Sequence, residues 1–169
     1  SIKLGTKESL DAKREELKKV LHVYFSSHKD YSYYQGLNFV AELFCLTYGK
    51  NLGYILLERL VELHFKRYMK SEQEFEKNIK DSLNLCLYVL KREVPNIMEI
   101  LHMNDGENDN VIVSLGFLIS MILTWCASRI SNENQVFRIY DFMICSKHSQ
   151  HIESYLIASV TYCFTLDLH

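Results

Sequence analysis

The chain has 169 residues, 48% of them apolar, and its 19 basic and 21 acidic residues leave a formal net charge of −2. This length and apolar share fit one domain with a sizeable core, while dispersed charges of both signs argue against a polyanion-binding surface, so no nucleic-acid partner is expected. The five cysteines (Cys45, Cys86, Cys126, Cys145 and Cys163) are odd in number with no C-x-x-C pair, no N-x-[ST] sequon occurs, and the N-terminal stretch is too charged for a signal peptide. This usage predicts a cytoplasmic setting and five free thiols.

A single proline, Pro95, and only six glycines favour long uninterrupted segments, so the predicted class is all-α. From Glu8 to Phe25, Leu10, Leu17, Val20, Leu21 and Tyr24 recur at helical spacing opposite Lys13, Arg14, Glu15, Glu16, Lys18 and Lys19, the pattern of an amphipathic helix. Ser26 to Asp30 breaks it. The stretch Tyr31-Ser32-Tyr33-Tyr34-Gln35-Gly36-Leu37-Asn38-Phe39 follows and leads into a second helix, which Gly49 closes after Tyr48. Gly36 supplies either an unusual backbone conformation or a bare spot for another main chain, and places the Gln35 amide at an approachable edge. A primary amide both donates and accepts, so Gln35 can orient a water molecule; a plain aromatic-rich helix start is the competing reading.

Asn51 is a candidate cap for a helix running to Tyr68 along Leu52, Ile55, Leu56, Leu60, His64 and Phe65, with His64 read as a core or boundary residue. Ser71 and Glu74 fit a capping box, and the next helix carries Phe75, Ile79, Leu83, Cys86, Val89 and Leu90 until Pro95 stops it. A short apolar turn from Ile97 to Met103 precedes the polar Asn104 to Asn110. There Met103 and Leu101 occupy positions where an EF-hand needs oxygen ligands, so a plain loop is expected. Asn110 to Ser128 is uncharged, long enough to suggest a membrane span, but Ser114, Gly116, Ser120 and Thr124 dilute it, which favours a central helix from Val111 to Ala127 buried on all sides. His148 and His151 lack further ligands at suitable spacing, so no metal site is expected. Ile152 to Leu168 reads as a final apolar helix. Leu10, Leu17, Leu21, Leu56, Leu60, Leu83, Leu118, Ile122 and Phe142 are the expected core.

Tyr33-Tyr34-Gln35-Gly36-Leu37-Asn38 resembles the Y-x-Q-G signature of TBC domains, the GTPase-activating domains that act on Rab proteins. Thr124-Trp125 and Val136-Phe137-Arg138-Ile139-Tyr140-Asp141-Phe142 are similar to the later signature of that family, an aromatic-bearing helix followed by an R-[IL]-[WYF]-D helix. The resemblance runs from about Leu17 to the end, and its texture is similar to the branch anchored at the endoplasmic reticulum that acts on early-secretory Rabs. It implies a single orthogonal bundle of many helices, with Gln35 as a catalytic glutamine finger, Tyr33, Tyr34, Gly36 and Asn38 as GTPase-binding residues, and Trp125, Arg138 and Asp141 as architectural ones. Arg138 and Asp141, three apart, are spaced for an ion pair.

The implied partner is a Rab-family GTPase that brings its own GTP and Mg²⁺; the domain itself carries no cofactor. The implied site of action is the cytosolic face of endomembranes, with membrane attachment only through segments outside this sequence. The family pairs its glutamine with an arginine in an I-x-x-D-x-x-R motif. Asp11 and Arg14 match D-x-x-R, but Glu8 stands where the motif is apolar, and Arg14 lies too close in sequence to Gln35. Residues 1–169 are therefore expected to be a partial TBC domain whose arginine finger lies upstream of Ser1. A catalytically inactive, GTPase-binding scaffold is the alternative, and a helical adaptor unrelated to GTPases a third.

Overall fold

In a computed structural model the chain is described over residues 7–94, 96–101, 108–146 and 152–166, with side chains over 11–94, 96–101, 115–146 and 152–163. Seven α-helices and no strand occur among the described residues: α1 (Lys7–Ser27), α2 (Leu37–Leu60), α3 (Glu72–Glu93), α4 (Ile97–Ile100), α5 (Asn108–Thr124), α6 (Glu133–Cys145) and α7 (Ile152–Leu166). A π-helical turn, Val61–Phe65, and a 3₁₀ turn, Lys66–Tyr68, follow α2 directly. The all-α class is as the sequence predicts. The chain divides into two compact units, Ser1–Lys70 and Ser71–His169.

In the first unit α1 packs along α2, burying Val20 and Tyr24, with Leu17 and Leu21 half-buried beside them. Its polar side carries ion pairs at helical spacing, Arg14–Asp11 at 3.5 Å and Lys18–Glu15 at 2.6 Å. The expected boundary at Gly49 is a break inside α2 and not its end. Gly49 takes φ 73° and ψ 165°, a conformation that strains any residue with a Cβ. Beyond the break the chain approaches itself closely: a Cβ on Gly53 would meet the Cα and N of Cys45 and the carbonyl carbon of Phe44 at 3.0 Å. This close contact turns the second half of α2 so that Gly53, Leu57 and Leu60 face inward while Leu52 and Ile55 are exposed. The apolar stripe expected on Leu52 and Ile55 is thus corrected, and Leu56 is half-buried.

In the second unit α3, α5 and α7 pack against one another, with α4 against α3. The capping box forms as expected: Ser71 Oγ accepts from the Glu74 N–H at 3.3 Å and the Ser71 N–H donates to Glu74 Oε2 at 3.4 Å. The helix starts there because both end groups are satisfied reciprocally. Ile79, Ser82, Cys86 and Leu90 form its buried stripe, with Leu83 half-buried. Asn108 to Asn110, expected in a loop, begin α5; Asn104 to Glu107, Pro95, His148 and His151 lie outside the described residues, as does the side chain of Leu10. Leu118 and the run Met121 to Cys126 are buried, but Gly116 is exposed and Leu115, Phe117, Ile119 and Ser120 are half-buried, so α5 is not buried on all sides as expected, and it ends at Thr124 and not at Ala127.

That ending is sharp. Trp125 and Cys126 both take positive φ, 44° and 68°, and the Cys126 N–H reaches back to the Met121 carbonyl at 3.0 Å. Consecutive left-handed residues with side chains are costly and persist only where surroundings enforce them. Here α6 does so: Tyr140 Oη donates to the Thr124 carbonyl at 2.7 Å, and its ring lies 5.5 Å from that of Trp125. Phe142, two residues on, is 52% exposed and is not a core residue, because the face of α6 that turns inward carries Val136, Tyr140 and Met143.

Tyr140→Phe is expected to lower the unfolding free energy by about 1 kcal/mol, the worth of one hydrogen bond. Phe142→Ser is expected to change it by less than about 0.5 kcal/mol. Urea denaturation of both variants checks this ordering, and a larger loss from Phe142→Ser contradicts it. The thiols are all free, with Cys145 and Cys163 exposed. Cys86 and Cys126 are buried, and burial pushes each up to about 12. A thiol reagent at neutral pH is expected to modify Cys145 and Cys163 first and to reach Cys86 and Cys126 only on unfolding; mass spectrometry of the labelled peptides reads the order.

Candidate functional site

Between α1 and α2 the chain runs as an irregular link from His28 to Gly36, seated on the π turn. The Ser32 N–H donates to the Met69 carbonyl at 2.5 Å. Tyr34 is 5% exposed, its ring 6.0 Å from that of Phe65 and 6.3 Å from that of Tyr68. A π turn widens the helix locally and re-aims the residues it carries, and such turns recur at functional sites. Here it brings Phe65, Tyr68 and Met69 inside to receive the link, where a regular helix to Tyr68 was expected.

Polar contacts secure the earlier part of the link. The His28 ring stacks on Tyr24 at 4.4 Å and Tyr31 at 5.7 Å, while its Nδ1 lies 2.9 Å from the Tyr24 carbonyl. Tyr31 Oη donates to Glu62 Oε1 at 2.8 Å. That bond holds Glu62 below its ordinary value, with Lys66 adding to the effect, and burial together with the same bond raises Tyr31. The Tyr24 hydroxyl, buried without a hydrogen-bond partner among the described residues, is pushed well up by desolvation.

The predicted site residues separate into two groups. Tyr34 and Gly36 face inward; Tyr33, 51% exposed, and Gln35 face outward, and Asn38 is half-buried. Gly36 takes φ 128° and ψ −30°, so of the two roles open to it the unusual backbone conformation is the one observed. It stands as the N-cap of α2 with no side-chain cap. Tyr33 Oη donates to Asn38 Oδ1 at 3.0 Å, and the Tyr33 ring meets Phe25 of α1 edge-on at 6.0 Å. Sequence reasoning placed Tyr31 in the motif stretch and Phe65 on an apolar stripe but neither singled out Glu62 nor joined these residues to the site; the aromatic density after Asp30 was the available signal.

Trp125 is 1% exposed and its ring packs on that of Tyr140. Arg138 and Asp141 are both exposed and no ion pair between them occurs, so the pairing their spacing allowed is not made. Among the described residues no group of three metal-ligating side chains comes together, and no helix is long and apolar enough to cross a membrane.

The sequence profile of the Rab-GTPase-TBC domain (RabGAP-TBC) matches residues 5–167. The chain belongs to this family. It is 31% identical over 133 residues to the GTPase-activating protein gyp10 of Schizosaccharomyces pombe, an alignment that covers 79% of this chain and 33% of that protein. It is 24% identical over 137 residues to TBC1 domain family member 20 of Homo sapiens and of Bos taurus, covering 81% of this chain and 32% of each relative. This TBC domain thus spans about a third of the length of these curated relatives.

The Tyr31–Glu62 bond makes the stability of the TBC domain depend on pH in a defined direction. Glu62 has a folded-state value below its ordinary 4.5, so its contribution is present above that value and is lost as pH falls through the depressed one. Tyr31, raised above its ordinary 10.0, keeps its contribution below that pH and loses it as pH rises through the raised value. Tyr31→Phe is expected to flatten the acid limb of a plot of melting temperature against pH. An unchanged acid limb shows that the bond does not couple to folding.

Proposed function

We propose that this domain activates GTP hydrolysis by a Rab-family GTPase, with Gln35 ordering the attacking water in trans. The observation that carries the reading is the mounting of Gln35. Its side chain is exposed and has no hydrogen-bond partner among the described residues, yet both flanking residues, Tyr34 and Gly36, are buried. An amide so placed has its donor and acceptor free for a water and a neighbouring main chain. A small GTPase hydrolyses GTP slowly because it lacks a fully positioned water and full neutralisation of charge on the phosphate oxygens. Gln35 supplies the first of these in the proposed mechanism; GTP and Mg²⁺ are the partner's.

The second requirement calls for a cation, and Arg14 is poorly placed for it. It faces Asp11 on the exposed side of α1. The turn of α1 that touches Tyr33 is at Phe25, eleven residues further on, so Arg14 lies about 16 Å back along the axis at the rise of an α-helix. An arginine N-terminal to this sequence is the proposed finger, and an arginine finger contributes roughly a thousandfold or more. The proposed site of action is the cytosolic face of endomembranes.

In the full-length protein, Gln35→Ala is expected to reduce Rab GTPase activation by about a hundredfold, the scale for loss of one preorganised transition-state hydrogen bond. Melting temperature should stay nearly unchanged, since the side chain contributes little to the core. A Rab whose own catalytic glutamine has been replaced is expected to remain a substrate. Full activity of Gln35→Ala, or a loss explained by unfolding, overturns the glutamine finger; Rab binding without activation by the unmodified protein assigns the scaffold role instead.

A further inference from the structure

We infer that Tyr33 and Asn38 act as positioning residues for Gln35, through a hydrogen-bonded strap that bridges it. This inference rests on the glutamine-finger reading and assigns the two side chains a task other than direct GTPase contact. The bond from Tyr33 Oη to Asn38 Oδ1, 3.0 Å long, joins the residues on either side of Tyr34 to Leu37 and so closes a ring around the Gln35–Gly36 step.

The need for such a strap follows from the geometry. Before Gln35 the chain is fixed by the Ser32–Met69 bond and by Tyr34 in its aromatic seat; after Gly36 it is fixed by Leu37 and Val40, both 0% exposed. Between these anchors Gly36, at φ 128°, is the residue type with the widest backbone freedom. The Gln35 side chain has no bond of its own among the described residues to hold its aim. A rotation about the Gly36 backbone would swing the Gln35 amide by turning the chain before it against the first turn of α2, a motion that the long bond from the Leu37 N–H to the Tyr34 carbonyl, 3.4 Å, opposes weakly. The strap opposes that rotation, because it ties the Tyr33 ring, already set edge-on against Phe25 of α1, to the first turn of α2. An amide that must meet a water and a phosphate at once benefits from such restraint, since misplacement by about 1 Å can cost a hundredfold in rate.

The test uses the full-length protein and a GTP-loaded Rab that it activates, with kcat and KM measured separately. Tyr33→Phe keeps the ring on Phe25 and removes only the donor; Asn38→Leu removes the acceptor at similar size. Each is expected to lower kcat by about three- to tenfold, the population shift set by one partly exposed hydrogen bond, with KM unchanged. The double variant should match the single ones. In a Gln35→Ala background Tyr33→Phe should be silent, because the strap then has no amide to aim.

A rise in KM at unchanged kcat overturns the inference and assigns the pair to GTPase contact. So does a further loss from Tyr33→Phe on top of Gln35→Ala, or a loss of activity that tracks a fall in melting temperature. If Gln35→Ala is itself fully active, the finger reading fails; if Gln35→Ala is impaired while Tyr33→Phe is not, only the strap fails.

Discussion

The seating of Tyr34 between Phe65 and Tyr68 is the interaction on which the rest of the site depends. It buries a ring from an otherwise irregular link, and burial of an aromatic side chain is among the larger single contributions available to a domain of this size. With that ring inside, its neighbours on the chain have little choice: Tyr33 and Gln35 must face out and Gly36 must turn sharply to start α2. The Ser32–Met69 bond satisfies backbone groups that the link, lacking regular structure, would otherwise leave unpaired. Rigidity beneath and exposure above are the combination on which the role proposed for Gln35 rests.

Part of this is legible in the sequence. The Gln-Gly step at the entrance of a helix is a local signal, and local signals read well: Gly36 and Gly49 both mark positive φ, and the Ser71–Glu74 box marks a helix start. What the sequence did not disclose depended on long-range placement. Leu52 and Ile55 look like core residues in an isolated helix, but the approach of Gly53 to the backbone of Phe44 and Cys45 rotates that helix and leaves them outside. Phe142 is misread for a related reason, because α6 is held by Tyr140 and the adjoining face falls outward. Tyr31, Glu62 and Phe65 could not be recognised as one cluster, since a π turn leaves no periodic trace that distinguishes it from α-helix.

The second unit shows the same economy with a different device. Trp125 and Cys126 bear a left-handed backbone that neither residue favours, and a hydroxyl and a ring from α6 maintain it. The two family signatures in the chain thus correspond to two kinds of constraint. In the earlier one, buried aromatics support an exposed amide. In the later one, the aromatics support a helix terminus, while the charged members, Arg138 and Asp141, remain in solvent.

A π turn differs from an α-helical one by a single additional residue in the hydrogen-bonded loop. Contracting Val61–Phe65 by one residue would restore regular α-helix and carry everything after it round by about 100°, the angular step of that helix. Phe65 and Tyr68 would then leave the face on which Tyr34 rests, and Met69 would withdraw the carbonyl that Ser32 uses. The length of this one segment, measured in single residues, is therefore a phase setting: substitutions can be absorbed along it, but an insertion or a deletion would retune where the link, and the glutamine it carries, can sit.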